Sequence, residues 1–298
     1  MNHISSRIYA DGKDLKIIAD LIARVRPPEH LNDHPAKVNL EEDLASAAVR
    51  ANARLWFDDG QPVGWAYVDE FNNLLWELDT KYEELLGSQI VECGEACIRR
   101  ALANGGSTTL DASCKEDYAA RIAFLKRYGF QQTETTTVRM IRLLSEPIPE
   151  PKLPPGFVIR PLAGSHEVEA VAAMHRLAFG TDYMTTEYRL AIMSTSEYDP
   201  SLDLVVIAPD GTIAAYCICS VNEQEKTGST DPVATHPRYQ GLGLARALLL
   251  TGLHLLKERG MLSAHLGTSG DNIVMQKAAE SVGFTVDYKT IWFSKEVC

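Results

Sequence analysis

The sequence lacks several features that mark whole classes of protein. Its 298 residues contain six cysteines, but none of them is spaced as C-x-x-C, the pattern typical of zinc sites and dithiol redox sites. A chain of this size needs no disulfide framework, so the cysteines are expected to be reduced thiols. No apolar stretch reaches the length of a membrane span, and the first residues lack the apolar run of a signal peptide. We therefore expect a cytoplasmic protein without a membrane partner.

Positive charge is also scarce. There are 29 lysines and arginines against 40 aspartates and glutamates, which gives a formal net charge of -11. A protein that binds nucleic acid needs a basic face for the phosphate backbone, so this balance argues against a nucleic-acid partner. A small or cationic substrate fits the charge better. The apolar content of 45% is enough for two domains, each with its own core.

A proline-rich segment separates two halves of the chain. Five prolines fall in PIPEPKLPP, where fixed φ angles and missing N–H donors favour an extended connector over a helix or a central strand. We therefore predict a linker at residues 147–156 between domains at residues 1–146 and 157–298.

The two halves share a weak internal repeat. Asp59-Gly60 and Asp210-Gly211 lie 151 residues apart, each between two apolar runs, as in a tight hairpin. Gly129-Phe130 and Gly283-Phe284 lie 154 residues apart. The near-constant offset predicts two copies of one fold.

Hydrophobic periodicity predicts that each copy is an α/β domain with a mixed sheet. In the C-terminal half, one helix carries a leucine face, and shorter apolar runs with strand periodicity surround it. The predicted elements are a strand at 157–161, helices at 165–178 and 185–194, strands at 203–208, 213–221 and 228–235, a helix at 243–259, a strand at 262–267, a helix at 271–281 and two closing strands within 284–297.

Two glycines one residue apart, Gly241 and Gly243, stand between a predicted strand and the long helix. Free amides and the helix dipole at a helix N-terminus attract an anion, and glycines let the backbone approach it closely. No lysine follows the second glycine, which excludes a nucleoside triphosphate P-loop, and Arg246 stands where a dinucleotide fold needs its third glycine. The loop predicts a phosphate or pyrophosphate ligand of another kind.

The loop resembles the acyl-CoA loop of the GNAT N-acetyltransferase superfamily. The family pattern Q/R-x-x-G-x-G/A is met by Gln240, Gly243 and Ala245. The preceding DPVATHP is similar to the splayed strand of the family, and GDNIVMQKAAESVGF is similar to its later helix. The doubled arrangement resembles that of tandem proteins of this superfamily. The resemblance implies two tandem GNAT-like domains, with acetyl-CoA as the acyl donor and the amine of a small molecule as the acceptor.

The resemblance also implies which residues bind acetyl-CoA. Val233 and Thr235 would offer strand backbone groups to the thioester and the pantetheine arm. Asn272 would bond the pantetheine, although Asn is also an ordinary N-cap residue. Arg238 is a candidate ionic partner of the pyrophosphate and Lys277 a candidate partner of the nucleotide end; otherwise each is a solvated surface residue. The amides that would cradle the pyrophosphate belong to Tyr239, Gln240, Gly241, Leu242, Gly243, Leu244 and Ala245.

Two proton-transfer groups that are usual in the family are absent. The glutamate that many members carry four residues before the position of Val233 is Ser229, and the tyrosine near the end of the later helix is Ala279. Asp231 has the strand parity of Ser229 and is a candidate base; otherwise it is a bulge or turn aspartate. Tyr288 is a candidate acid or a core aromatic. Water could also serve as the acid, because a thiol ionises near about pH 8.5.

The N-terminal copy is predicted to be degenerate. Aligning Tyr82 with Tyr239 places Glu84 and Leu86 where the glycines stand. A carboxylate would repel a pyrophosphate, and the added Cβ atoms would block the backbone's approach. This half is expected to complete the substrate cleft or to cap a sheet edge. Aromatic residues on its strands are predicted to be core: Trp56, Trp65, Tyr67 and Trp76.

Two functions from different classes stay open. The first is an enzyme that moves an acetyl group from acetyl-CoA to a small amine by direct transfer. The second is a non-catalytic acyl-CoA-binding regulatory protein, which the absence of both usual proton-transfer groups keeps open. The chain is expected to be a monomer or a homodimer. No metal site is predicted, because prolines around His30 and His34 favour a loop over a ligating helix.

Overall fold

The computed structural model describes residues 3–31, 33–35, 37–103, 105–195 and 198–297. Contacts within the chain divide it into two units. Unit 1 comprises Met1–Thr136 and Lys289–Cys298, and unit 2 comprises Thr137–Tyr288. Within the described ranges no helix is long and apolar enough to cross a membrane. Cys298 lies outside those ranges, and the other five cysteines are free thiols.

Unit 1 contains a four-stranded antiparallel sheet in the order β1-β2-β3-β4, with helices packed against it. Its predicted core aromatics Trp56, Trp65, Tyr67 and Trp76 are all buried, which confirms their place in the core. The elements of this half of the chain are β1 (Ile4–Ile8), α1 (Gly12–Val25), α2 (Lys37–Asp43), α3 (Ala47–Asn52), β2 (Arg54–Asp58), β3 (Gln61–Val68), β4 (Leu74–Leu78), α4 (Glu83–Leu102), β5 (Thr109–Lys115), α5 (Ala119–Arg127) and β6 (Gln131–Leu143).

Unit 2 contains a mixed sheet in the order β6-β11-β10-β9-β8-β7. Its helices pack on both faces, because one buried cluster joins this sheet to α8 and another joins it to α6. The elements of the second half of the chain are β7 (Val158–Pro161), α6 (Val168–Phe179), α7 (Thr186–Met193), β8 (Asp203–Ile207), β9 (Ile213–Asn222), β10 (Thr227–Thr235), α8 (Leu244–Glu258), β11 (Ser263–Ser269), α9 (Ile273–Glu280) and β12 (Thr285–Glu296).

Each half of the chain ends in a strand that pairs in the other unit. Strand β6 ends the first half and pairs in unit 2, and strand β12 ends the second half and pairs in unit 1. Residues 137–143 of β6 pair with β11 in unit 2, and residues 290–296 of β12 pair with β5 in unit 1. The predicted domains at 1–146 and 157–298 are continuous along the chain, whereas the units are not, because inter-strand hydrogen bonds decide where these two strands belong. The proline-rich segment lies in unit 2, where Ile148 and Leu153 pack on the core.

The predicted elements of the C-terminal half are present, with two local differences. The two closing strands are a single strand, β12, since no glycine or proline interrupts Thr285–Glu296. At the first hairpin both Asp59 and Gly60 have positive φ, as predicted. At the second hairpin Gly211 has a positive φ of 84° but Asp210 does not, so the turn is of another type.

Helix α8 lies unusually close to the sheet of unit 2. Gly252, on its buried face, leaves no room for a side chain: a Cβ atom there would lie 2.7 Å from Cys219 Sγ on β9. Gly228 on β10 makes the matching approach, since its Cβ would lie 2.6 Å from the side chain of Leu256. The two glycines let α8 dock against β9 and β10.

Gly252→Ala is expected to destabilise unit 2 by about 1–3 kcal/mol, because the added methyl group overpacks a closed interface. This loss outweighs the gain of about 1 kcal/mol in helix propensity. Urea unfolding of the intact chain, followed by circular dichroism, measures the change. The matched control is Gly12→Ala in α1, where a Cβ atom meets nothing within 4 Å. Equal unfolding midpoints for the two variants would contradict the close approach.

Candidate functional site

The two central strands of unit 2 separate part of the way along their length. Strands β10 and β11 pair in parallel from Thr227 and Ser263 to Ser229 and His265. Beyond that point β11 continues along β6, while β10 follows β9 with a bulge between Thr230 and Val233. This is the splayed strand that the sequence predicted. The edge of β10 that faces the opening can therefore offer backbone groups to a ligand.

A cavity of about 460 Å³ lies at the opening, entirely within unit 2. Four elements form its wall: the end of α6, the end of β10, the glycine loop with the start of α8, and α9. The lining residues are Ala178, Phe179, Val233, Ala234, Thr235, Tyr239, Gln240, Gly241, Gly243, Leu244, Ala245, Arg246, Asn272, Val274, Met275 and Ala278.

The glycine loop presents backbone amides to this cavity. Gly241 and Gly243 both have a φ of 77°, a left-handed conformation that side chains rarely adopt. Gly243 is the N-cap residue of α8 and supplies no side-chain cap, so the first amides of the helix keep their hydrogen-bonding capacity. A Cβ atom at either glycine would meet nothing within 4 Å. The glycines are thus needed for their φ angles and for an open face, which suits an anion.

Two arginines, Arg238 and Arg246, stand on either side of the glycine loop. Arg238 is exposed, does not line the cavity and lies 4.0 Å from the carboxylate of Asp210. Arg246, one turn into α8, does line the cavity. Tyr239 lines it as well, and its hydroxyl donates to Asp210 at 3.0 Å. Neither Leu242 nor Lys277 is among the lining residues.

Asn272 caps α9 and also lies in the cavity wall. Its Oδ1 accepts a hydrogen bond from the Met275 N–H at 3.1 Å, which makes it the N-cap residue of α9. It also lines the cavity, together with the apolar residues Met275 and Val274. Phe179 completes the wall from α6. No sequence signal identifies Phe179, because it lies far along the chain from the loop and belongs to no motif.

Asp231 lies at the mouth of the opening. It falls within the β10 bulge, and its carboxylate accepts a hydrogen bond from the Gly267 N–H of β11 at 3.3 Å. Desolvation by the surrounding protein raises the pKa of Asp231, against the lowering effects of that hydrogen bond and of Arg139. Asp231 is thus a bulge residue whose carboxylate bonds β11 across the gap between the strands, and it is not among the residues that line the cavity.

The other two candidate catalytic residues have different surroundings. The hydroxyl of Ser229 shares a 2.8 Å hydrogen bond with the hydroxyl of Ser220 on β9. Tyr288 is half-buried on β12. Neither is among the residues that line the cavity.

Unit 1 has a counterpart of this cavity that is almost filled. It has a volume of about 50 Å³ and lies between the end of β4, the start of α4 and α5. The guanidinium of Arg121 stacks 4.4 Å from the Trp76 ring and donates to the Trp76 carbonyl at 2.8 Å. The carboxylate of Glu77 forms ion pairs with Arg121 at 2.6 Å and with Arg26 at 2.5 Å. All three charged side chains are buried, and Arg121, which belongs to α5, occupies the cleft.

The alignment of the two copies has structural support. Tyr82 ends a short 3-10 turn and donates its hydroxyl to Asp58 at 2.7 Å, as Tyr239 does to Asp210. In both cases the tyrosine ties the start of the following helix to the preceding hairpin.

In unit 1, His30 makes contacts with residues of the same unit. His30 Nδ1 lies 2.8 Å from Asp33 Oδ2, and the His30 ring stacks on Tyr118 with centroids 3.9 Å apart. In the part of the chain that the structure describes, no group of three or more His, Cys, Asp or Glu side chains could hold a metal ion.

Solved structures share this architecture over the whole chain. A GCN5-related N-acetyltransferase from Sphaerobacter thermophilus matches with a TM-score of 0.80 at 21% identity, over 99% of this chain and 96% of that one. A tandem GNAT protein from the clavulanic acid biosynthesis pathway matches with a TM-score of 0.74 at 14% identity, over 100% and 99%. The fold is thus that of tandem GNAT proteins.

Sequence relatives lead to the same family. The mycothiol acetyltransferase of Nocardia farcinica is 31% identical over 64% of this chain and 65% of its own length, just under two thirds. That of Thermomonospora curvata is 24% identical over 93% of each chain. The model of the acetyltransferase (GNAT) family matches residues 168–284, which include the splayed strand, the glycine loop and α9. The chain therefore carries an acetyltransferase domain of the GNAT family.

Proposed function

We propose that this protein transfers an acetyl group from acetyl-CoA to the amine of a small molecule. The observation that carries the proposal is the cavity at which the opened edge of β10 meets the uncapped glycine start of α8. A strand edge suits the amide-rich pantetheine arm, and a helix N-terminus suits a pyrophosphate. The two requirements of acetyl-CoA are therefore met side by side.

Backbone groups would be the main ligands of acetyl-CoA in this site. The amides from Tyr239 to Ala245 would cradle the pyrophosphate, and the guanidinium of Arg246 would add a positive charge. Arg238 remains a candidate ionic partner of the pyrophosphate and Lys277 a candidate for the nucleotide end, although neither lines the cavity itself. Asn272 would bond the pantetheine with its amide N–H₂ group, because its Oδ1 already caps α9.

The chemistry would be a direct attack of the amine nitrogen on the thioester carbonyl. The Val233 N–H would stabilise the oxyanion that forms, and the C–S bond would then break to release the CoA thiolate. Asp231 would take the proton from the ammonium group of the incoming amine. Its raised pKa makes its carboxylate a stronger base than that of an ordinary aspartate. Ser229 could bind the water that connects Asp231 to the ammonium group of the amine. Tyr288 stays a candidate acid.

Unit 1 would bind no acetyl-CoA. Arg121 fills the equivalent cleft and satisfies the strand carbonyl that a pantetheine arm would need. Glu83 and Glu84, in the first turn of α4, would also repel a pyrophosphate. A regulatory protein that binds acyl-CoA without turnover is the alternative function, since the usual glutamate and tyrosine of the family are Ser229 and Ala279 here.

Calorimetric titration of acetyl-CoA into the intact protein is expected to give one site per chain. Gly243→Glu should abolish it, because the side chain would strain a left-handed backbone and place a carboxylate on the pyrophosphate. The matched control is Gly260→Glu, which has a φ of 78° at the other end of α8. No binding would refute the acyl-CoA proposal, and two sites would refute the closed cleft of unit 1. Binding without CoA release across an amine panel would favour the regulatory alternative.

Asp231→Asn is expected to lower kcat/KM for a cationic amine about 10²-fold or more, the usual effect of losing a general base. In the wild type the rate should fall as the pH drops through the Asp231 pKa, because only the carboxylate accepts a proton. That pKa is raised, so the fall should begin at a higher pH than for an ordinary aspartate.

A pH profile of initial rates tests this assignment. The acid limb should be absent from the variant and unchanged in Asp287→Asn, which removes an exposed carboxylate of the same unit. An acid limb that survives in Asp231→Asn would remove Asp231 as the base.

A further inference from the structure

A chain of three hydrogen-bonded rings stands behind the α6 wall of the cavity. The Tyr216 hydroxyl lies 2.6 Å from His175 Nδ1, and the Tyr183 hydroxyl lies 3.1 Å from His175 Nε2. Tyr216 and His175 are buried, with 1% and 3% of their surface exposed, whereas Tyr183 is 58% exposed. The chain thus leads from the core to the surface.

The chain is packed against two segments that line the cavity. Tyr216 pairs across β9 and β10 with Ala234, next to Val233. The His175 ring lies 4.5 Å from the ring of Phe179, which lines the cavity from α6. Tyr183 follows Phe179 by four residues, in the loop that leaves α6. Tyr183 is not itself among the lining residues; it is joined to the cavity wall through His175, whose ring packs on Phe179.

The burial of Tyr216 decides the direction of the hydrogen bonds. Among the described residues its hydroxyl has one partner, His175 Nδ1, so a proton turned elsewhere would be buried without an acceptor, at a cost of about 1–3 kcal/mol. Tyr216 therefore donates to Nδ1. A neutral imidazole then carries its own proton on Nε2 and donates it to the Tyr183 oxygen.

His175 is kept neutral by its surroundings. Burial lowers its pKa first, and the positive charges of Arg189 on α7 and Arg176 on α6 lower it further. A neutral ring leaves the Tyr183 hydroxyl as an acceptor from His175, so the proton of Tyr183 points away from His175 and is free to be given to another acceptor. The accepted N–H bond also stabilises the phenolate that remains when this proton leaves.

We propose that Tyr183 is the acid that protonates the departing CoA thiolate, and that His175 and Tyr216 position it. This inference rests on the proposed acetyl transfer. As the C–S bond breaks, the Tyr183 O–H bond gives its proton to sulfur, and the products are the CoA thiol and a Tyr183 phenolate. The phenolate holds the Nε2–H bond of His175 and regains its proton from solvent, which its exposure allows. The chain thereby supplies an acid where the family's tyrosine is replaced by Ala279.

The first test is Tyr183→Phe, which removes the hydroxyl and keeps the ring. We expect kcat to fall about 10²-fold, the lower end of the range for general acids, because a thiolate is a tolerable leaving group. The Kd of acetyl-CoA by calorimetry should not change. The matched control is Tyr188→Phe, an exposed tyrosine in edge contact with Tyr183. It should keep the wild-type kcat.

The second test separates positioning from mere support of the fold. His175→Ala should lower kcat in the wild type and cause no further loss in the Tyr183→Phe background, because both changes remove the same proton transfer. His175→Gln should recover part of the kcat, since its amide can donate to Tyr183. Additive losses, with no recovery by glutamine, would assign His175 a structural role only and overturn its part.

The outcomes also separate this inference from the proposed function. If wild type and Tyr188→Phe acetylate an amine and Tyr183→Phe does so equally fast, the acid role of Tyr183 is wrong and acetyl transfer stands. A fall in Tyr288→Phe in place of Tyr183→Phe would assign the acid to Tyr288. If the wild type binds acetyl-CoA but acetylates no amine, the proposed function fails, and the acid role fails with it.

Discussion

The separation of β10 from β11 is the constraint on which the rest of the site depends. Two parallel strands that stay paired satisfy each other's backbone groups and leave nothing for a ligand. Here the pairing ends at Ser229 and His265, so Val233 and Thr235 face a cavity in place of a strand. The close docking of α8 then places the glycine loop at the end of the same strand, because Gly252 and Gly228 bring helix and sheet together.

The two copies of the fold use the same opening in opposite ways. In unit 2 small and apolar side chains leave about 460 Å³, and in unit 1 the space is reduced to about 50 Å³. In unit 1 Glu77 is buried and paired with both Arg26 and Arg121. Removing one partner of a buried ion pair leaves an uncompensated charge, so this cluster is costly to open. Under the proposed function, unit 2 would hold the acetyl-CoA site and unit 1 would not.

Desolvation acts in complementary ways on the proposed base, Asp231, and on His175, which positions the proposed acid. It raises the pKa of Asp231, which strengthens the carboxylate as a base, and it lowers the pKa of His175, which keeps the imidazole neutral. A neutral His175 can orient a phenol without competing for its proton. The bulge in β10 and the α6 wall would thereby supply functions that many relatives assign to a glutamate and a tyrosine.

The sequence by itself determined the features that depend on neighbours along the chain. The glycine loop, the leucine face of α8, the repeat and its core aromatics follow from local spacing, because turn conformation and helix periodicity are local properties. The splayed strand is expected only from the resemblance of DPVATHP to the GNAT family. Tertiary structure alone decided the exchange of β6 and β12, the choice of Arg246 over Arg238 at the cavity, and the wall supplied by Phe179. It also decided that Arg121 fills one cleft and that His175 reaches both Tyr216 and Tyr183. Such contacts join residues distant in the chain, and packing and hydrogen bonding select them without leaving a pattern in the sequence.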